Sequence, residues 1–111
     1  MAPSDEGTLL RIFMGDSDRH EGEPPYKVLV RRAHDLGTAG ATVLHGPLGF
    51  GRRSLVHSAK LAELGTDLPV VIEIVDSEDA IRRYMAEVGA LVPDGLVTLE
   101  RVRIVRYGPR R

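Results

Sequence analysis

The chain has 111 residues, with 15 Lys or Arg against 16 Asp or Glu and a formal net charge of -1. That length allows one small domain with a single core and a high surface-to-volume ratio, which favours oligomerisation. The balanced charge excludes a bulk pull toward nucleic acid or an anionic membrane, and the lack of cysteine excludes disulfides, thiolate nucleophiles and thiolate metal sites.

Residues 1–7 are a polar tail, acidic where a secretory signal would be basic, so the chain reads as cytoplasmic. Residues 8–14 form an apolar run interrupted only by Arg11 and are expected to be a strand. A polar loop, GDSDRHEGEPP, leads to Pro25, which suits the first turn of a helix. Val28, Leu29, Ala33 and Leu36 then recur at helical spacing until Gly37 supplies a stop. Residues 40–45, GATVLH, read as the second strand. Residues 54–64 are ambiguous between a short helix and a long excursion.

Residues 67–75, DLPVVIEIV, are the clearest strand, and Asp76 or Ser77 is expected to cap a second helix with Ile81, Tyr84, Met85 and Val88 on its buried face. PDG at residues 93–95 makes a turn into a last strand over residues 96–105. Its apolar positions change face between Leu99 and Val102, which predicts a bulge or bend. The tail at residues 107–111 is basic and reads as solvated.

The order β-α-β, long loop, β-α-β is that of a ferredoxin-like α+β domain over residues 8–106, with a four-stranded antiparallel sheet and two helices on one face. In the first strand Leu10, Ile12 and Met14 oppose Leu9 and Phe13; in the third, Val70, Ile72 and Ile74 oppose Val71 and Val75. Both faces of the sheet are therefore apolar, and the face without helices is expected to pack on another subunit.

The most distinctive loop is HGPLGFGRRS, residues 45–54. Gly46, Gly49 and Gly51 permit N–H groups to converge, and Arg52 and Arg53 add forked cationic donors, so the loop suits a small anion. It is not a P-loop, because Arg52 stands at the lysine position and Arg53 at the hydroxyl position. Nor is it a dinucleotide fingerprint, since Ser54 replaces the third glycine.

The segment DSDRH lacks the glycine and twelfth-position acid of a calcium loop. Ser54 and His57 have no orienting third group, so no catalytic apparatus is apparent and the chain is not expected to be an enzyme. Glu73 in an otherwise aliphatic strand is best read as paired with an arginine at a subunit interface. Arg101, Arg103 and Arg106 alternate with apolar residues and some are expected to reach a cleft. The aliphatic third strand lacks the aromatic base platform of an RNA-recognition fold, so nucleic acid is not an expected partner.

The segments GATVLHGPLGFG, SLVHSAKLAELGTDLPVVIEIVDSED and PDGLVTLERVRI together resemble the small PII-like proteins grouped as domain of unknown function 190. The resemblance runs from Leu9 to Val105 and departs at His45, where that family usually carries arginine. It implies a trimer with the sheets facing inward, binding an adenine nucleotide or another small anionic effector in clefts between subunits and signalling through a long loop, here about residues 46–66. The candidate ligand-binding residues, taken from the loop, the turn and the last strand together, are Gly46, Gly49, Phe50, Gly51, Arg52, Arg53, Ser54, His57, Gly95, Arg101 and Arg103. The turn over residues 92–98 corresponds to a phosphate-cupping loop but has Pro93, Asp94 and Gly95 without lysine, leaving arginines to supply charge. The same resemblance offers two further expectations: a metal-sensing trimer like the copper-tolerance relatives, using His45 and His57, and a membrane-transporter partner.

Overall fold

Alternating aliphatic residues build both central strands. β1 (Glu6–Gly15) and β3 (Pro69–Asp76) lie side by side, flanked by β2 (Thr42–His45) and β4 (Leu96–Arg103) in the order β2-β3-β1-β4. Every neighbouring pair is antiparallel. The computed structural model describes residues 6–15, 22–46, 68–92 and 95–105. The expected short element in residues 54–64, residues 1–5 of the first tail and the whole 107–111 tail lie outside them.

Among the described residues, two helices cover one face. α1 (Pro25–Asp35) starts with Pro25 at its first position, where the missing N–H removes no helical bond. It ends as the sequence predicts: Gly37, at φ 75°, places the Thr38 N–H on the Ala33 carbonyl and its own N–H on that of His34. α2 (Glu78–Val88) is capped by Ser77, whose hydroxyl accepts from the Ala80 N–H at 3.2 Å. A 3-10 turn (Gly89–Leu91) follows.

Asp76 is not the cap. Buried at the end of β3, it accepts from the Ser77 N–H at 2.7 Å with one oxygen and from the Ala39 N–H at 2.8 Å with the other. It thereby ties the start of α2 to the segment entering β2.

The core lies between helices and sheet. Leu10, Ile12, Val70, Ile72 and Ile74 meet Leu29, Ala33, Ile81, Tyr84 and Val88, all essentially inaccessible. Each large aliphatic side chain buried here stabilises the fold by about 1.5–3 kcal/mol. Buried Tyr84 donates its hydroxyl to the Leu29 carbonyl at 2.8 Å, linking the helices, and burial raises its pKa above the usual phenol range.

The last strand differs from expectation. Its register against β1 advances one residue for one residue, from Leu96 opposite Phe13 to Arg103 opposite Glu6, so there is no bulge between Leu99 and Val102. The change of face has another cause: β4 carries apolar groups on both sides, as β1 and β3 do. Val97 and Leu99 point to the helix side, while Leu96, Val102 and Ile104 belong to the open side. Two strand starts also shift by two residues: β1 begins at Glu6, ahead of position 8, and β2 begins at Thr42, after position 40.

Candidate functional site

The candidate site is built from where the sheet delivers its loops. β2 ends at His45, and the next N–H, that of Gly46, donates to the Pro69 carbonyl at 2.8 Å. This bond adds a rung to the β2–β3 ladder and fixes the root of the long loop, so the Gly46 N–H is committed to the sheet and is not a free anion donor. The exposed His45 ring meets Tyr26 of α1 edge-on, with centroids 5.3 Å apart at 86°.

Gly95 lies at the same end of the sheet but on the other edge, just before β4. A Cβ there would fall 2.5 Å from Val92 Cγ1 and 2.8 Å from the Phe13 carbonyl oxygen, so only glycine lets this turn pass so close to β1. Crossing from Gly46 to Gly95 takes three strand spacings, about 14 Å.

Arg101 and Arg103 are exposed on β4 opposite Thr8 and Glu6, at the far end of the strand. At about 3.3 Å per residue they stand about 20 and 26 Å from Gly95. With no bulge between them they share one side, the side of the helices. One chain thus brings Gly46 and Gly95 to one end of the sheet and sends the two arginines to the other. Gly49, Phe50, Gly51, Arg52, Arg53, Ser54 and His57 lie outside the described residues, as do Pro93, Asp94 and Arg106.

The open face of the sheet holds a polar group within apolar surroundings. Arg11 Nε donates to Glu73 Oε2 at 2.9 Å and Arg11 Nη1 to Glu100 Oε1 at 3.1 Å. The Glu73 hydrogen bond is the main cause raising the Arg11 pKa, with desolvation opposing it and both carboxylates adding Coulombic support. The arginine partner expected for Glu73 is therefore on the adjacent strand of the same chain. Arg11 itself looks in sequence like a mere interruption of an apolar run; its pairing with a residue 62 positions away becomes legible only with the β1–β3 register.

A recess of about 450 Å³ opens beside this group, lined by Gly40, Thr42, Glu73, Val75 and Ile104. It lies toward the Asp76 end of the sheet, away from Gly46 and Gly95. Among the described residues no group of three or more His, Asp or Glu could hold a metal ion, and His45 is occupied with Tyr26, so the metal-sensing expectation finds no support. No helix among the described residues is long and apolar enough to cross a membrane.

Comparison with known proteins places this arrangement. The solved structure of CPII from Thiomonas intermedia K12, bound to ADP, AMP and acetate, superposes with a TM-score of 0.66 at 13% identity, covering 91% of this chain and 90% of that one. A putative PII-like signaling protein from Thermus thermophilus gives a TM-score of 0.63 at 19% identity, covering 91% of each. A UPF0166 protein of Aquifex aeolicus is 41% identical over 97 residues, 87% of this chain and 91% of its own length. The family model DUF190, described as an uncharacterized ACR, matches residues 7–104. With its four antiparallel strands and two helices on one face, the chain has the ferredoxin-like fold of PII-like proteins and belongs to the DUF190 family.

Proposed function

We propose that this protein is a non-enzymatic PII-like regulator that binds an adenine nucleotide in clefts between copies of a homotrimer. The observation that carries the reading is the fold it shares with CPII, a protein solved with ADP and AMP. The placement of the two glycine turns supports it. Gly46 and Gly95 sit at one height on opposite edges of the sheet. In a head-to-tail ring about an axis parallel to the strands, the β4 edge of one copy meets the β2 edge of the next, and Gly95 of one adjoins Gly46 of its neighbour.

Such a cleft joins a tight glycine turn to the root of the loop that carries Arg52 and Arg53. The guanidinium groups take the phosphates, since the Gly95 turn has no lysine and the Gly46 N–H is already bonded. Ordering of residues 46–66 around the ligand is the output, exposing or hiding a surface for a protein partner.

Calorimetry with ATP, ADP, AMP and cyclic AMP tests the reading. Saturable heat is expected with at least one of them, together with slower proteolysis between residues 47 and 67. Replacing Arg52 and Arg53 by alanine should weaken binding by about 10- to 100-fold per lost charge-assisted contact. No heat with any nucleotide and unchanged cleavage would overturn the nucleotide assignment.

A further inference from the structure

The recess beside Glu73 forms where β2 gives out. β2 pairs with β3 only over Thr42–His45, so Val75, further along β3, has no partner in β2. Asp76 holds the incoming chain close by accepting from the Ala39 N–H, and the gap between residues 39–42 and β3 stays open. Thr42, Glu73, Val75 and Ile104 all belong to the open side of the sheet. Gly40 adds no side chain, and nothing lies within 4 Å of where its Cβ would be. At about 450 Å³ the recess has room for an aromatic or a long cationic side chain.

Its chemistry has two parts. Val75 and Ile104 make an apolar wall, and Glu73 makes a polar end: Oε2 is on Arg11, while Oε1 accepts no hydrogen bond among the described residues. The charged side chains on the open face among the described residues are Arg11, Glu73 and Glu100, which together leave one negative charge. The occupant this suits is a cation carried next to a flat apolar group.

Two segments of the chain leave at this end of the sheet. Residues 1–5 precede β1 and bring Asp5 with no lysine or arginine. Residues 106–111, RYGPRR, follow Val105 and bring a tyrosine with three arginines. Only the second segment complements the recess. It also departs from the right place, because Ile104 is itself a wall of the recess and leans over Gly7, where a Cβ would meet its Cδ1 at 2.6 Å. The chain then bends at the exposed Val105. Six extended residues span about 20 Å, and Val75 and Glu73 are only about 7 Å apart along β3, so the segment is long enough to serve both.

We propose that residues 106–111 fold back over the open face of their own chain, with Tyr107 against Val75 and Ile104 and the Arg110 guanidinium on Glu73 Oε1. Tyr107 buries its ring while its hydroxyl stays toward water, and Arg110 adds a second charge-assisted contact to the carboxylate that Arg11 already holds. The recess lies at the opposite end of the sheet from Gly46 and Gly95, so this contact is independent of the nucleotide cleft.

Trypsin cleavage after Arg106 in the whole chain, followed by mass spectrometry, tests the contact. Release of residues 107–111 should be about tenfold or more slower than from a free peptide of residues 104–111, the scale of one charge-assisted hydrogen bond. Arg110→Ala and Glu73→Gln should each restore the peptide's rate, and the double variant should add nothing further. Arg110→Ala changes no residue of the sheet, so its effect does not depend on how well Glu73→Gln folds. In nuclear Overhauser spectra the Tyr107 ring should touch the Val75 and Ile104 methyl groups, and mixing labelled with unlabelled chains should show that the contact lies within one copy. Cleavage as fast as the peptide's, or protection that survives both substitutions, would overturn the proposal. Tyr107 contacts that run between copies, or recess methyl groups covered by another copy, would overturn the same-chain contact. Calorimetric nucleotide binding should be the same in Arg110→Ala as in the unaltered chain, and a loss of binding there would overturn the independence of the two sites.

Discussion

Replacing Asp76 by asparagine keeps the side-chain volume while taking away its charge and one of its two acceptor oxygens. In the folded chain those oxygens hold the Ser77 and Ala39 N–H groups at 2.7 and 2.8 Å, in a side chain only 3% exposed. In Asp76→Asn one N–H must face an amide NH2 and loses its partner, costing about 1–3 kcal/mol, and the other exchanges an ionised acceptor for a neutral one about half as strong. The sum is about 2–4 kcal/mol, a large share of the stability of a domain this size. At about 4 °C per kcal/mol the melting midpoint should drop by about 8–16 °C. Thermal and urea denaturation followed by circular dichroism would measure it. Ser77→Ala is the internal comparison: it removes only the cap to Ala80 and should cost about 0.5–2 kcal/mol. If Asp76→Asn melts within a degree or two of the unaltered chain, or if Ser77→Ala proves the more damaging, the staple between the β2 entry and α2 is wrong.

Two other substitutions probe the helices and the glycine turn. Gly95→Ala forces a Cβ to 2.8 Å from the Phe13 carbonyl oxygen, a backbone atom that cannot step aside, and should destabilise by about 1–3 kcal/mol in urea unfolding while weakening nucleotide binding in calorimetry. Tyr84→Phe removes a buried hydroxyl whose acceptor, the Leu29 carbonyl, belongs to α1; the expected loss is about 0.5–1.5 kcal/mol by the same denaturation measurement, with the fold unchanged.

The elements that sequence reads well are those whose signals are local. Pro25 and Gly37 mark both ends of α1, and Ile81, Tyr84 and Val88 mark the buried side of α2 without reference to anything distant. The two-sided apolar character of β1 and β3 was legible for the same reason, since a period of two assigns faces within a single strand. Features that depend on register were not. Applied to β4, the single-face rule turned Val102 and Ile104 into evidence for a bulge, when they serve the open face beside Gly7: a Cβ on Gly7 would strike Ile104 Cδ1 at 2.6 Å. Asp76 looked like a cap because it precedes an acidic helix start; its second contact, 37 residues away at Ala39, has no sequence signature. Arg101 and Arg103 joined the candidate site by their charge, but the uninterrupted β4 register carries them to the opposite end from Gly95.

That separation ties the proposed ligand site to the proposed assembly. If Gly46 and Gly95 belong to one cleft, they do so across two copies, because within one chain a sheet three strand spacings wide stands between them. A nucleotide in that cleft then binds the ring and not the single chain, and each occupied cleft stabilises the ring by about 2.7 kcal/mol at a hundredfold excess over Kd. Three clefts give about 8 kcal/mol, and because the dissociation constant of a ring of three has the dimension of concentration squared, the concentration at which rings fall apart should drop about a thousandfold. The same linkage makes apparent nucleotide affinity weaken as the protein is diluted below that concentration. Sedimentation with and without saturating nucleotide, paired with calorimetry at two protein concentrations, measures both sides of the relation. An affinity that stays constant through the dissociation range, with assembly indifferent to nucleotide, would place the whole binding site within one chain and separate it from the meeting of the β2 and β4 edges.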